Sequence, residues 1–242
     1  MKSKSGLSAS ILRAIGLDTD HLSPVDGAIM ASPEAGEAFR RLKSRADGAG
    51  IGLRIASGHR DYGRQLAIFN DKVMGARPVL SDDGESLRRD DFNDWDWLHA
   101  VLRFSALPGL SRHHWGTDFD VWDAAAVPDN YRPALLSAEY LPGGPFHHFS
   151  RWFSEREDCH ESEGFFRPYE TDTGGVAPEA WHISFRGSKE QKPDELLQTL
   201  SVLWSTGTLP GINRSFPPLA CASLVLANAQ DLLDRYVVVA EP

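Results

Sequence analysis

The sequence predicts an α+β fold, and three observations carry that expectation. Helical and strand-like segments are interspersed along the 242 residues without the regular strand–helix–strand alternation that builds a doubly wound parallel sheet. An apolar share of 41%, with 24% charged and 10% aromatic residues, matches an ordinary globular chain and excludes disordered, collagen-like and coiled-coil classes. Segments such as TDFDVW alternate polar and apolar residues with the period of a half-buried strand. At roughly 150 residues per domain, one compact domain with insertions accommodates the length.

The elements follow in chain order. Ser32-Pro33-Glu34 has the chemistry of a helix start, a hydroxyl cap followed by proline and an early acid, and predicts a helix running to Gly48. In GLRIASG, Leu53 and Ile55 alternate with Arg54 and Ala56 as in a short strand that opens into a loop at Ser57 to Arg60. A second helix is expected from about Asp61, with Leu66, Phe69 and Val73 on one apolar face. Residues 75–91, GARPVLSDDGESLRRDD, are polar and turn-rich and read as a surface loop. Trp95, Leu98, Val101 and Leu102 predict a helix from Phe92 that ends before Pro108-Gly109. In TDFDVW, Asp118 and Asp120 share one face while Phe119 and Val121 take the other. LPGGPFHH reads as a turn, the segment bearing Phe149, Trp152 and Phe153 as a short amphipathic helix, and SEREDCHESEG as charged and irregular. WHISF is a strand entered from the loop TGGVAPEA, and Pro193-Asp194 starts a helix carrying Leu196, Leu197, Leu200 and Leu203. One more helix is expected in the tail, before the apolar VVVA.

Charge and composition narrow the function classes. The net charge of −9, from 25 basic and 34 acidic residues, repels phosphate backbones and anionic lipid, and no basic cluster offsets it, so no nucleic-acid partner is expected. Two cysteines, Cys159 and Cys221, are too few for a disulfide framework, and their pairing stays open. The N-terminal apolar stretch ILRAIGL is broken by Arg13 and lacks the hydrophobic region of a secretory signal. PLACASLVLANA is too short to span a bilayer, so no membrane span is expected.

Nucleophile systems are missing. No Ser-x-x-Lys, Lys-Thr-Gly or Ser-Asp-Asn occurs, and Gly109-Leu110-Ser111-Arg112-His113 carries histidine where a nucleophile elbow needs its second glycine. His160-Glu161 begins like a zincin helix, but Gly164 stands where the second histidine belongs. What remains is His113, Asp120 and His182, with Glu179 three residues before the last. Two imidazoles and a carboxylate suit Zn²⁺ with one position left for water. His113 precedes the strand that holds Asp120, and Glu179 and His182 bracket the entry to a second strand, so the three ligands converge if those strands pair. Nine histidines offer many chance triples, and a buried hydrogen-bonded cluster without metal would use the same residues.

SRHHWGTDFD fits Ser-x-His-x-x-Gly-x-x-x-Asp and EAWH fits Glu-x-Trp-His, which together resemble the zinc motifs of the VanY-type D-alanyl-D-alanine carboxypeptidases and related D,D-dipeptidases. SGHRDYGRQ, with Arg60 and Gln65, resembles that family's upstream Ser-x-Tyr-Arg segment, and the three motifs run in the family's order from Ser57 to His182. The resemblance implies a small central antiparallel sheet flanked by helices, with one Zn²⁺ per chain held at the sheet by His113, Asp120 and His182. It implies Glu179 as general base, Arg60 as stabiliser of the tetrahedral oxyanion, and Ser111 and Gln65 as substrate-binding residues, with Ser111 at the terminal carboxylate. Asp118 stands where the family often has a small residue, and His59 replaces a more usual tyrosine.

The chemistry agrees with those roles. A carboxylate beside a metal-activated water can take its proton and pass it to the leaving amine, and a guanidinium stays charged and offers a rigid donor fork to a developing oxyanion. Structural alternatives are a solvated loop carboxylate for Glu179, a surface ion pair for Arg60, a turn cap for Ser111 and a solvent-facing side chain for Gln65. His147, His148 and His160 read as ordinary surface residues, His114 as a support behind the site or as packing, and Trp115, Trp122 and Trp181 as core or cleft wall.

The expectation is one metallopeptidase domain over 1–242, with a motif-bearing core of about 30–206 and a C-terminal extension, 207–242, packed on it. The expected function is hydrolysis of an amide bond in a peptidoglycan stem peptide, as a D-alanyl-D-alanine carboxypeptidase. An endopeptidase or D,D-dipeptidase on the same scaffold, and a catalytically silent zinc-containing binding module, are the alternatives. The family's substrate points to the cell envelope, although the N-terminus shows no export signal. Oligomeric state is not readable.

Overall fold

The computed structural model describes residues 7–186 and 193–237. In chain order the elements are α1 (Ala9–Ala14), β1 (Ser23–Asp26), β2 (Ile29–Ala31), α2 (Pro33–Gly48), β3 (Leu53–Ser57), α3 (Tyr62–Val73), β4 (Val79–Leu80), β5 (Ser86–Leu87), α4 (Asp94–Leu102), β6 (Asp118–Asp123), α5 (Ser137–Tyr140), α6 (His147–Asp158), β7 (Phe165–Phe166), β8 (His182–Phe185), α7 (Pro193–Thr206), α8 (Ala222–Ala227) and α9 (Ala229–Tyr236). Strands β3, β6, β8 and β7 form an antiparallel sheet in that order, and β1–β2 and β4–β5 are separate two-stranded ribbons.

Alternation along the central strands divides the molecule into a packed side and a chemical side. Leu53, Ile55, Phe119, Val121 and Ile183 point to one face, where they meet Phe39 and Leu42 of α2 and Phe149 and Phe153 of α6. Phe39, Phe119 and Phe165 pack edge-on or tilted with centroids 5.4–6.4 Å apart, and each such side chain contributes about 1.5–3 kcal/mol by burial. The opposite face carries Asp118, Asp120, His182 and Ser184. A second apolar core, built from α1, α3, α4 and α7–α9, lies beside the sheet. Leu219, Val225, Leu232 and Leu233 from beyond residue 206 join Leu66, Phe69, Trp97 and Leu200 there.

The helix starts anticipated from local chemistry are present. Ser32 Oγ accepts from Ala35 N at 3.3 Å and Asp61 Oδ1 from Arg64 N at 2.7 Å, capping α2 and α3. Residues 75–91 differ from the expected loop by containing the β4–β5 ribbon and a 3₁₀ turn at Arg89–Asp91. The charged run after Phe153 is helical to Asp158, with Glu155 and Asp158 exposed, Glu157 accepting from Arg167 N at 2.9 Å, and Phe149 and Phe153 buried. The tail forms two helices broken at Asn228, where one was expected, and of the VVVA segment all but Val237 lies outside the described residues. Cys159 and Cys221 are both free thiols. Among the described residues no helix is long and apolar enough to cross a membrane.

Candidate active site

Strand register assembles half of the site. Asp120 of β6 is the direct cross-strand partner of His182 at the start of β8, and Asp118 is the partner of Ser184. His113 comes from a 3₁₀ turn, Arg112–Trp115, that ends at Gly116 with φ +72°. A β-carbon at Gly116 would lie 3.0 Å from the backbone Ser32 N and 2.6 Å from Leu22 Cδ2, so glycine suits both the left-handed turn and the close backbone approach. The turn is tied to the loop after β3 by a hydrogen bond from Arg60 N to His113 O at 3.1 Å.

His113, Asp120 and His182 are buried, and one ligand atom from each lies within 4.8 Å of the others. His113 Nε2 is 3.5 Å from Asp120 Oδ2, and His182 Nδ1 is 3.6 Å from Asp120 Oδ1. Ligand atoms about 2.0–2.2 Å from a tetrahedral zinc stand roughly 3.3–3.6 Å apart; each histidine nitrogen meets a different Asp120 oxygen near that separation and the three ligand atoms lie within 4.8 Å of one another, so the donor set suits the ion in chemistry and is gathered close to its spacing. The second nitrogen of each ring is also accounted for. His113 Nδ1 is 3.0 Å from Gly58 O, and His182 Nε2 is 3.1 Å from Asp118 Oδ1. With its proton on Nδ1, His113 presents an Nε2 lone pair on the Asp120 side, whereas His182 Nδ1, shared between Asp120 and Glu179 Oε2, would give up its proton to bind a metal.

Asp118 is fully buried. Its Oδ1 accepts from Arg112 Nε at 2.9 Å and its Oδ2 from Thr117 Oγ1 at 2.7 Å. Burial alone would raise its pKa, but the Arg112 guanidinium and the hydrogen bond to His182 hold it well below the usual carboxylate range. Arg112 also donates to Ser184 Oγ at 2.6 Å and lies over the Trp115 ring at 4.8 Å. Burial likewise disfavours a charged His182, yet its hydrogen bonds to Asp118 and Glu179 push its pKa up to about 10. Asp120 is held ionised against burial by His113, His182 and Arg60.

Glu179, 8% exposed, places Oε2 3.0 Å from His182 Nδ1, which excludes a solvated loop carboxylate. Arg60 is no surface ion pair. Its Nη1 donates to Gln65 Oε1 at 2.8 Å and its Nη2 to Ser57 Oγ at 3.2 Å, while its buried Nε has no acceptor among the described residues. Ser111 is buried and its hydroxyl does not cap the turn. Arg60, Ser111, His113, Asp120, Glu179, Trp181 and His182 line one cavity of about 600 Å³.

Gln65 departs from expectation. It is wholly buried behind Arg60, with Nε2 donating to Ala106 O at 2.7 Å, and it does not line the cavity. Both amide atoms are committed within the protein, so contact with substrate gives way to support of Arg60. His114 is buried and spans two backbone groups, with Nε2 accepting from Gly109 N at 3.0 Å and Nδ1 2.6 Å from Arg60 O. Burial lowers its pKa to about 3, which keeps it neutral.

Lys72 escaped the sequence reading. It lines the cavity and donates from Nζ to Ser105 Oγ at 2.7 Å. The available signal was helical phase, since Lys72 follows Ile68 by four residues and Gln65 by seven and so shares their side of α3, flanking the apolar stripe of Leu66, Phe69 and Val73.

Comparison with known proteins follows the same line. Two uncharacterized proteins of Haemophilus influenzae are similar to the chain. One is 40% identical over 74 residues, 31% of this chain and 51% of that protein; the other is 33% identical over 137 residues, 54% and 93% respectively. The chain thus spans about half the length of the first relative. The solved structure of VanYB in complex with D-alanine-D-alanine shares the fold, with TM-score 0.50 and 19% identity over 76% of this chain and 82% of that one. The VanY family of D-alanyl-D-alanine carboxypeptidases matches residues 28–188. With two thirds of its length inside that match, this chain belongs to the VanY family.

Proposed function

We propose that the protein is a zinc-dependent peptidase that hydrolyses an amide bond in a peptidoglycan stem peptide and releases the terminal D-alanine. The observation that carries this reading is the meeting of His113, Asp120 and His182 at ligand spacing on the wall of a cavity that also holds Glu179 and Arg60. Family membership supports the peptidase class, and the D-alanine-D-alanine held by VanYB is the kind of peptide end this reading takes.

His113, Asp120 and His182 would hold one zinc ion. When bound, zinc supplies Lewis acidity toward the amide carbonyl and lowers the pKa of a coordinated water to roughly 7. Glu179 accepts a proton from the attacking water as its oxygen bonds to the carbonyl carbon, then returns the proton to the amide nitrogen as the C–N bond breaks. The products are a carboxylic acid and an amine, and Glu179 ends as it began. Arg60 presents its guanidinium to the charge that develops on the carbonyl oxygen, a contact contributing about 3 kcal/mol to barrier reduction. Gln65 and Ser57 fix that guanidinium in advance, so little reorganisation is needed at the moment of reaction. Ser111 offers a hydroxyl to the substrate's terminal carboxylate.

Metal analysis of the purified protein, combined with product masses from a stem pentapeptide and a free D-alanyl-D-alanine dipeptide, tests the reading. One zinc per chain and loss of one alanine from the pentapeptide are expected. Cleavage of the dipeptide alone would move the activity to a D,D-dipeptidase, cleavage at internal bonds to an endopeptidase, and bound zinc without turnover to a silent binding module.

A further inference from the structure

The cavity has a basic wall that the hydrolytic step does not use. Among its lining residues, Arg112 is paired with Asp118, while Lys72 and Arg77 have no carboxylate within ion-pairing distance among the described residues. The cavity's acids are otherwise placed. Asp82 is bound by Arg103, Asp120 and Glu179 belong to the metal centre, and Asp83 is exposed to solvent. A protein of net charge −9 therefore keeps an ammonium with no ion-pair partner among the described residues on the wall of this cavity, beside the Arg60 guanidinium.

Such an arrangement is unfavourable by itself. The half-buried Lys72 amine is desolvated beside Ile68 and Phe104 and faces the like charges of Arg77 and Arg60, against which Glu179 is the one opposing charge. Its pKa is pushed down to about 8, first by burial and then by Arg77. An arriving anion removes that cost, which makes the position a receptor for negative charge and not a stabilising feature of the empty fold.

We infer that Lys72, its ammonium anchored by Ser105 and flanked by Arg77, binds the free carboxylate of the residue being released and so selects chain ends over internal bonds. The inference rests on the proposed peptidase reading and names a specificity residue for it. A substrate whose chain continues past the scissile bond, or ends in an amide, brings a neutral group to this ammonium and leaves it unpaired in the complex.

The test uses the zinc-loaded full chain, N-acetyl-D-alanyl-D-alanine and its C-terminal amide. Lys72→Met is expected to raise KM for the free acid 10- to 100-fold, change kcat less than threefold and leave the amide unaffected, with zinc content unchanged. Lys72→Arg, which keeps the charge, restores most of the preference for the acid. Equal losses on acid and amide, or an unaltered KM for the acid, overturn the inference. Calorimetric binding of both peptides in a Glu179→Gln background separates this outcome from failure of the peptidase reading. There, an acid-over-amide preference abolished by Lys72→Met supports the assignment even without turnover, and an absent preference before the lysine is changed overturns it.

Discussion

His182 Nε2 lies 3.1 Å from Oδ1 of Asp118, a carboxylate with no exposure to solvent. The contact orients the imidazole so that Nδ1 faces Asp120, and on the proposed reading it makes Asp118 the support of a ligand although Asp118 is not one of the converging three. Removing that charge weakens metal binding without deleting a ligand. Asp118→Asn is expected to reduce zinc affinity 10- to 100-fold. Because Arg112 loses its buried partner, stability should also fall by about 3 kcal/mol, so affinity is measured by chelator competition well below the variant's Tm. Unchanged affinity would show that His182 needs no such support.

In the proposed mechanism Glu179 separates binding from turnover. Its carboxylate lies against His182 but outside the three-residue ligand set, so Glu179→Gln should retain zinc while kcat drops by a factor of about 10²–10⁴. Zinc content and product mass on the same sample check both halves. Full activity in this variant would remove Glu179 from the proton transfer.

Arg60 and Gln65 form a graded pair. Arg60→Ala removes the oxyanion contact and should lower kcat by about 10²–10³. Gln65→Leu keeps the guanidinium but deletes the acceptor that holds its Nη1 at 2.8 Å, so a smaller loss is expected, about tenfold, comparable to the net worth of one hydrogen bond. Double-mutant kinetics provide the check. If Gln65 acts through Arg60, its substitution costs little once Arg60 is alanine.

The parts legible in the sequence are those where a single residue has one dominant physical use. Ser32 before proline and Asp61 before an amphipathic run cap helices because a hydroxyl or carboxylate there satisfies free backbone N–H groups. Alternation in Asp118–Asp123 identified the site face, since Phe119 and Val121 have only the core to occupy. The β4–β5 ribbon stayed hidden because its ladder is two residues long, below the length at which alternation is visible. Strands β1 and β2 are nearly as short and are joined at Gly27, φ +61°. Gln65 was read from the sequence as a substrate-binding residue, but its depth behind Arg60 depends on how α3 packs against Ala106, a contact 41 residues away. Lys72 was missed because a lysine on a helix ordinarily reaches solvent, and only tertiary structure closes a cavity over it.

Lys72 should therefore cost the unliganded protein stability, with a pH signature. Its pKa, ordinarily 10.5, is pushed down to about 8 in the fold, first by burial and then by Arg77. Below pH 8 both folded and unfolded chains carry the proton, and the fold bears the whole cost of the desolvated charge. Between pH 8 and 10.5 the folded amine gives up its proton before the unfolded one, so stability rises with pH over this window and the cost is gone above it. A shift of that size corresponds to at most about 3 kcal/mol. Partial exposure and the lost hydrogen bond to Ser105 reduce the expected gain from Lys72→Met to about 1 kcal/mol, a rise in Tm of roughly 2–4 °C at pH 7. Thermal unfolding of parent and variant across pH 7 to 10.5 should show that difference shrinking toward zero as the medium becomes alkaline. A difference constant with pH would mean that packing, and not the ammonium charge, sets the cost at this position.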